Sequence, residues 1–411
     1  MSANPDVVIV GGGIGGSALA AVLAKQGAEV LVLERQQTYK DRVRGEYMPP
    51  WGVEETQRLG LLDVLLGAGG HFCPRYIPYD ELTAPEIAEQ HPVDMGKVIP
   101  GIAGALMVSH PGACEALARA AAVAGATVLK GVTNVSVEPG ARPKVRFSGA
   151  GTEQVVEPRL VVGADGRTSS VRAQAGIEET RFEPSHLITG LLVDGASDWP
   201  RDTYSIGTED DRMYYVFPQG ETRVRLYNCT ALDQTDRFVG ASGVRRFMES
   251  FKLRCLPGSQ ELAGATPIGP CATLTGEDTV VERPYADGVV LVGDAAGYND
   301  PIMGQGLSLA MRDARMISEV MGAGSDWSPG AFQPYREERV LRMARMRFAA
   351  AMMAELRSRF GAEARERRAR YRAKVAAGDT ELGMVTAISG VGPDRVNPAW
   401  FTEVVWERAL K

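Results

Sequence analysis

Gly11, Gly13 and Gly16 are spaced as G-x-G-x-x-G inside GGGIGG. The first glycine permits a tight turn, the second lets a diphosphate approach the backbone, and the third lets a following helix pack closely on the preceding strand. A helix opening at Ile14 and Gly15 would offer free N–H groups and a partial positive charge to phosphates. Glu34 stands 23 residues after Gly11. A carboxylate there can accept hydrogen bonds from both ribose hydroxyls of an adenosine. It also disfavours a 2′-phosphate, so the implied ligand is NAD or FAD rather than NADP. Arg35 beside it joins the same set.

Two later segments choose between those ligands. GDAAGYNDPIMGQG runs from Gly293 to Gly306 after the apolar run VVLV. Asp294 can bond a ribityl hydroxyl. Pro301, Gly304, Gly306 and Leu307 bring backbone close to a ring system. A helix beginning near Gly306 would aim its positive end at the N1–C2=O edge of a flavin, which is negative when reduced. NAD has no such edge. The segment GADGRTSSVR holds Asp165 and Gly166. By itself it is either a turn capping a helix or an outer wall of the same site.

These residues need strands that end at them. Asp6–Val10 reads as a buried parallel strand, Ile14–Gln26 as a helix and EVLVLE as the next strand, together a βαβ unit. Val53–Leu66 reads as one helix and Gln154–Val162 as one strand. From about residue 181 the pattern turns to short alternating strands, as expected of an antiparallel sheet. The fold class expected is α/β, with a Rossmann-like FAD-binding domain, an inserted mostly antiparallel β-sheet substrate domain and a C-terminal helical region. The FAD-binding parts are 1–75, 98–180 and 281–330, the substrate parts 76–97 and 181–280, and the helical region 331–411.

Composition narrows the class. A net charge of −6 gives no general attraction for nucleic acid or anionic membrane. Cys73, Cys114, Cys229, Cys255 and Cys271 form no CxxC pair, so neither a zinc site nor a disulfide framework is expected. No signal peptide or spanning segment is visible, and the expected setting is cytoplasmic. Residues 336–374 hold 12 arginines and one lysine against five glutamates. A solvated helix with i,i+4 pairs such as Glu338 with Arg342 is the expected form.

The order of the three segments resembles the class A flavoprotein monooxygenases, typified by para-hydroxybenzoate hydroxylase, over roughly the first 325 residues. The resemblance assigns Gly11, Gly13, Gly16 and Glu34 to the ADP half of FAD, and Gly293 and Asp294 to the ribityl chain. Asp165 and Gly166 are linked to FAD and NAD(P)H use. Arg42-Val43-Arg44-Gly45-Glu46 matches the family's R-x-R-G-like stretch, with Arg44 either a contact near the flavin or part of a solvated loop. His110 stands where the family has arginine, and Gly297 where it often has histidine. The implied chemistry is reduction of FAD by a transient NAD(P)H co-substrate, O2 addition at flavin C4a, and oxygen delivery to an aromatic or polyketide-like small molecule, by a monomer or homodimer. The GDAAG form also suits a flavin reductase of isoprenoid-like substrates. The five tryptophans do not form the W-x-W-x-I-P segment of halogenases. No metal set is expected.

The substrate should lie between the β-rich insert and the flavin. Met213, Tyr215 and Phe217 share one strand face, and Arg212, Tyr214 and Val216 the other. Arg223, Arg225 and Tyr227 share a face on the next strand. Catalytic candidates are Asp300, Arg225 and Tyr215. Asp300 is either a turn residue before Pro301 or a polar group near the reacting centre.

Overall fold

The computed structural model describes residues 4–41, 43, 45–149 and 151–411. Val7–Val10 is the hub of a six-stranded sheet ordered Tyr285–Ala286, Val289–Leu291, Leu160–Gly163, Val7–Val10, Val30–Glu34, Thr127–Lys130. All neighbours pair in parallel except the edge strand Tyr285–Ala286. Val7–Val10, Val30–Glu34 and Leu160–Gly163 are buried along their whole length, which explains their unbroken apolar sequence. The chain leaves Val7–Val10 for Val30–Glu34 on one side, while Leu160–Gly163 lies on the other. That reversal opens a crevice at the carboxyl ends of the strands.

A second, eight-stranded sheet stands over that crevice. Its path is Thr266–Pro267, His186–Asp194, Val224–Thr230, Arg212–Pro218, Thr203–Glu209, Arg75–Ile77, Val93–Asp94, with Ala272–Gly276 also paired to His186–Asp194. It is antiparallel except where Thr203–Glu209 meets Arg75–Ile77. Alternation sorts its side chains. Tyr214, Val216 and Leu226 pack with Phe247, Phe251 and Leu262 under two short helices. Met213, Tyr215, Phe217 and Cys229 turn the other way, into the main core beside the parallel sheet.

Helices close the structure from the carboxyl-terminal side. Gln333–Arg357 lies against Gly306–Gly322, and is followed by Ala362–Ala376, Thr380–Val391 and Glu403–Leu410. Met352, Leu356, Leu382, Val385, Val405 and Ala409 form their shared core. No helix among the described residues is long and apolar enough to cross a membrane.

Two expected elements are divided. Val53–Leu66 is two helices, Pro50–Arg58 and Leu62–Gly67, because Gly60 takes φ +70° and turns the chain. Gln154–Val162 is two strands in different sheets, Thr152–Val156 and Leu160–Gly163, with Pro158 between them. Proline has no N–H for a ladder, so a single strand cannot run through it.

Candidate functional site

A cavity of about 610 Å³ runs along the carboxyl ends of the parallel strands and under the second sheet. Gly11, Gly13, Ile14, Gly15, Glu34 and Arg35 line one end, and Asp165, Gly293, Asp294 and His110 its middle. Pro301, Gly304, Gly306 and Leu307 lie beneath Tyr215, Phe217, Tyr227, Ile188 and Ile206 at the other.

Each glycine has a distinct local cause. Gly11 takes φ +107°, and a Cβ there would meet the Ala164 carbonyl oxygen at 2.3 Å. A Cβ on Gly16 would meet the Gly11 carbonyl oxygen at 2.0 Å, so helix and strand touch through bare backbone. A Cβ on Gly13 would meet nothing within 4 Å. Gly13 is also the N-cap of Ile14–Lys25, and no side chain caps that helix. Its first amides therefore face open space, the arrangement an anionic diphosphate fills.

Glu34 is buried at the tip of its strand and accepts from the amides of Gly12 (2.8 Å) and Gln36 (2.7 Å). The Tyr39 hydroxyl donates to the Gly12 carbonyl at 2.6 Å. The carboxylate is thus fixed beside the glycine turn. Each of its oxygens still has a lone pair to offer a ribose hydroxyl. Arg35 is exposed at the mouth. His110 opens the helix His110–Val123, with its Nε2 3.6 Å from Cys114 Sγ. Arg42 and Arg44 lie outside the described residues.

Asp165 lines the cavity, but its carboxylate is occupied. It accepts from the amides of Ser170 (2.7 Å) and Val171 (3.2 Å), capping the Ser170–Gln174 turn. Arg172 then ties this segment to the next, donating to the Ala295 carbonyl at 2.9 Å. Asp294 is more open, with Arg167 3.8 Å away and stacked over the Tyr298 ring.

The GDAAG turn is held from behind by charges. The Gly293 amide donates to Asp313 at 2.8 Å. Arg339 donates to the carbonyls of Gly293, Ala296 and Gly297 and to Asp313. Arg342 pairs with Asp313 at 2.6 Å and with Glu338 at 3.1 Å. The expected i,i+4 pair of Glu338 and Arg342 is therefore present, and Arg359–Glu355 and Arg370–Glu366 are solvated pairs of the same kind, but Arg339 and Arg342 themselves are 3% and 1% exposed. Burial alone would raise the Asp313 carboxyl, and the two guanidiniums outweigh it and hold it below its ordinary range.

The start of Gly306–Gly322 faces the cavity without a capping side chain. Gln305 turns away, accepting from Trp51 Nε1 at 2.8 Å and donating to the carbonyl of Met303. A Cβ on Gly306 would meet nothing within 4 Å, so a second set of helix amides is reachable by a planar ligand.

Among the three catalytic candidates, only Tyr215 lines the cavity. Its ring faces the space, while its hydroxyl donates to the Ile302 carbonyl at 2.7 Å and fixes the Pro301–Met303 turn. Of the two places expected for Asp300, its side chain takes that of a turn residue. It accepts from the Ile302 amide, with His186 Nε2 3.4 Å away, and it is buried behind the wall. Asp278 accepts from the Asp300 amide and Asn299, and burial pushes its carboxyl up to about 6. Arg225 is also behind the wall, paired with Asp41 at 2.5 Å and Glu46 at 3.1 Å. Sequence reading passed over Glu46 as a site residue. It lines the cavity fully buried and accepts from the Tyr227 hydroxyl at 2.6 Å. One acid after an Arg-rich stretch carries no local sign of burial.

Tyr215→Phe is expected to leave the buried Ile302 carbonyl without its donor and cost about 1–3 kcal/mol. Its flavin absorbance band should shift as the Pro301–Met303 turn relaxes. Urea unfolding and a visible spectrum check both.

The family model described as FAD binding domain matches residues 4–347. Squalene monooxygenase of Mus musculus is 30% identical over 328 residues, covering 77% of this chain and 55% of that protein, so the chain spans about half its length. Digeranylgeranylglycerophospholipid reductase 2 of Methanococcoides burtonii is 28% identical over 82% of this chain and 80% of its own. The 6-hydroxynicotinate 3-monooxygenase of Bordetella bronchiseptica is 27% identical over 84% and 90%. Among solved structures, aklavinone-11 hydroxylase with FAD and aklavinone superposes with a TM-score of 0.69, at 19% identity, over 86% of this chain and 69% of that one. That likeness establishes the fold.

Proposed function

This chain belongs to the FAD-binding family of class A flavoprotein monooxygenases, and from that premise we propose that it uses NAD(P)H and O2 to hydroxylate or epoxidise an aromatic or polyketide-like small molecule. The observation that carries the reading is one continuous cavity with helix amides at one end and an aromatic wall at the other. Bound FAD would supply the redox chemistry: electrons from NAD(P)H and activation of O2.

The chain's own residues bind, orient and exclude water. The amides opening Ile14–Lys25 take the diphosphate, Glu34 the ribose and Asp294 the ribityl chain. Gly304, Gly306 and Leu307 let backbone reach the ring, and the positive end of Gly306–Gly322 favours its anionic reduced form. Tyr215, Phe217, Ile188 and Ile206 offer an apolar lid that keeps water from the reacting face. The substrate rings would stack on this wall.

The test is oxygen uptake by the purified flavoprotein. Aromatic compounds should accelerate NAD(P)H oxidation, with one atom of labelled dioxygen in the product. A second reading is reduction of an isoprenoid-like alkene. It is favoured by the reductase of Methanococcoides burtonii, which this chain matches over 80% of its length, and by Gly297 after GDAA. Anaerobic substrate reduction without O2 consumption would select it.

A further inference from the structure

Asn299, Pro301, Met303 and Gly304 line the cavity on one turn, and that turn hangs from the second sheet. Pro301 has no N–H to anchor it. The residues just before it are tied to Glu277–Thr279, the stretch that follows strand Ala272–Gly276. Tyr298 donates its hydroxyl to Glu277 and its amide to Thr279 Oγ1 at 3.0 Å, and its carbonyl accepts from the Thr279 amide at 2.9 Å. Asp278 takes the last two donors before the proline. Its Oδ1 accepts from Asn299 Nδ2 at 2.8 Å and from the Asp300 amide at 2.9 Å.

Asp278 is partly exposed, and its Oδ2 accepts no hydrogen bond among the described residues. A proton from solvent therefore adds there. Charged groups face it from each neighbouring segment. Asp300 stands beyond the amide it holds, with His186 Nε2 3.4 Å from that carboxylate. Arg347, on the helix Gln333–Arg357, attracts it from beyond ion-pair distance and also faces Glu282. Glu277 is engaged by Tyr298, and Arg181, next to the Phe182 amide that donates to the Asp278 carbonyl, is paired with Glu179.

We propose that Asp278 is a positioning residue: as a carboxylate it latches the cavity turn to the second sheet in the shape that holds FAD, and a proton on Oδ2 releases that turn. This needs only FAD in the cavity, whichever reaction follows. The bonds to Asn299 and Asp300 are charge-assisted while Asp278 is ionised, and such bonds are about twice as strong as neutral ones. Burial raises the carboxyl and Asp300 adds to the rise; the bonds from Asn299 and the Asp300 amide and the pull of Arg347 oppose it, leaving it at about 6. The latch is closed above that value and opens as pH falls through it.

The test reconstitutes flavin-free protein with FAD, followed by flavin absorbance, at a series of pH values on both sides of about 6. Affinity should be level above about 6 and fall about tenfold over the next unit of acid, since FAD favours the ionised latch and lowers its titration by the same factor. Asp278→Asn keeps an acceptor at Oδ1 without the charge. It should bind FAD with the acid-side affinity throughout and show no step. Thr279→Val removes a tie to Tyr298 without touching a charge. It should weaken FAD at every pH and keep the step, which separates proton control from mere support of the turn. A step that survives in Asp278→Asn belongs to another group, such as His186, and overturns the proposal; so does its loss in Thr279→Val. A level affinity in the natural chain overturns it as well, even where Asp278→Asn does not fold. A step as expected, in a protein that consumes no O2 with any substrate, sinks the monooxygenase reading and leaves the latch standing.

Discussion

Gly13→Asp yields a folded protein that does not turn yellow. A side chain at Gly13 meets nothing within 4 Å, and the backbone there has φ −73°, so the substitution strains nothing. It does place bulk and negative charge where the amides of Ile14–Lys25 open into the cavity. FAD affinity should fall by roughly 100-fold or more, about 2.8 kcal/mol. Thermal unfolding of the flavin-free protein should be unchanged, and reconstitution followed by visible absorbance reads the loss. The contrast is Gly16→Ala. Its Cβ would stand 2.0 Å from the Gly11 carbonyl oxygen and 3.0 Å from Ala164 Cβ. That variant should lose stability whether or not FAD is present. A yellow Gly13→Asp protein with a full complement of FAD would remove the diphosphate from this turn.

Asp313→Asn is the substitution with the largest expected effect on folding. The carboxylate is fully buried and joins Arg339, Arg342 and the Gly293 amide. Removing its charge leaves two buried guanidiniums short of a partner, a change that costs about 3–5 kcal/mol where it has been measured. The midpoint of urea unfolding should fall accordingly. FAD should also bind more weakly, because Arg339 positions the carbonyls of Gly293, Ala296 and Gly297 behind Asp294. The sign with pH follows from the depressed carboxyl. Its stabilisation is present above the unfolded value, about 3.9, and lost as pH falls through the lower folded value. In the variant that acid limb of the stability profile should be missing. An unchanged midpoint would mean the arginines are satisfied without Asp313.

The glycine turn that lines the cavity was legible because its requirements are local. Gly11 and Gly16 are demanded by backbone approaches of about a van der Waals radius, and glycine alone fits them. Val7–Val10 and Leu160–Gly163 announce themselves as buried parallel strands through unbroken apolar runs. The division of Val53–Leu66 at Gly60 and of Gln154–Val162 at Pro158 was also written in the sequence, in residues that interrupt regular structure. There the apolar pattern outweighed the breaker.

The charged residues were harder to place, since a charge says nothing about its own burial. Arg339 and Arg342 look like members of a solvated basic run, yet the Gln333–Arg357 helix turns them inward onto Asp313. Asp300 and Arg225 have the chemistry of catalytic groups but sit behind the wall, spent on a turn amide and on Asp41. Glu46 looked incidental and lines the cavity.

Alternation alone assigned Met213, Tyr215 and Phe217 to one face, because a strand's geometry fixes it. Which face would meet the cavity depended on how two sheets and a helix layer pack, and no window of sequence contains that. Side-chain periodicity and glycine sterics act over a few residues and are therefore readable from the chain. The partner of a long charged side chain comes from another element, 26 and 29 residues away for Arg339 and Arg342 and 184 for Arg225, and only the packed structure decides it.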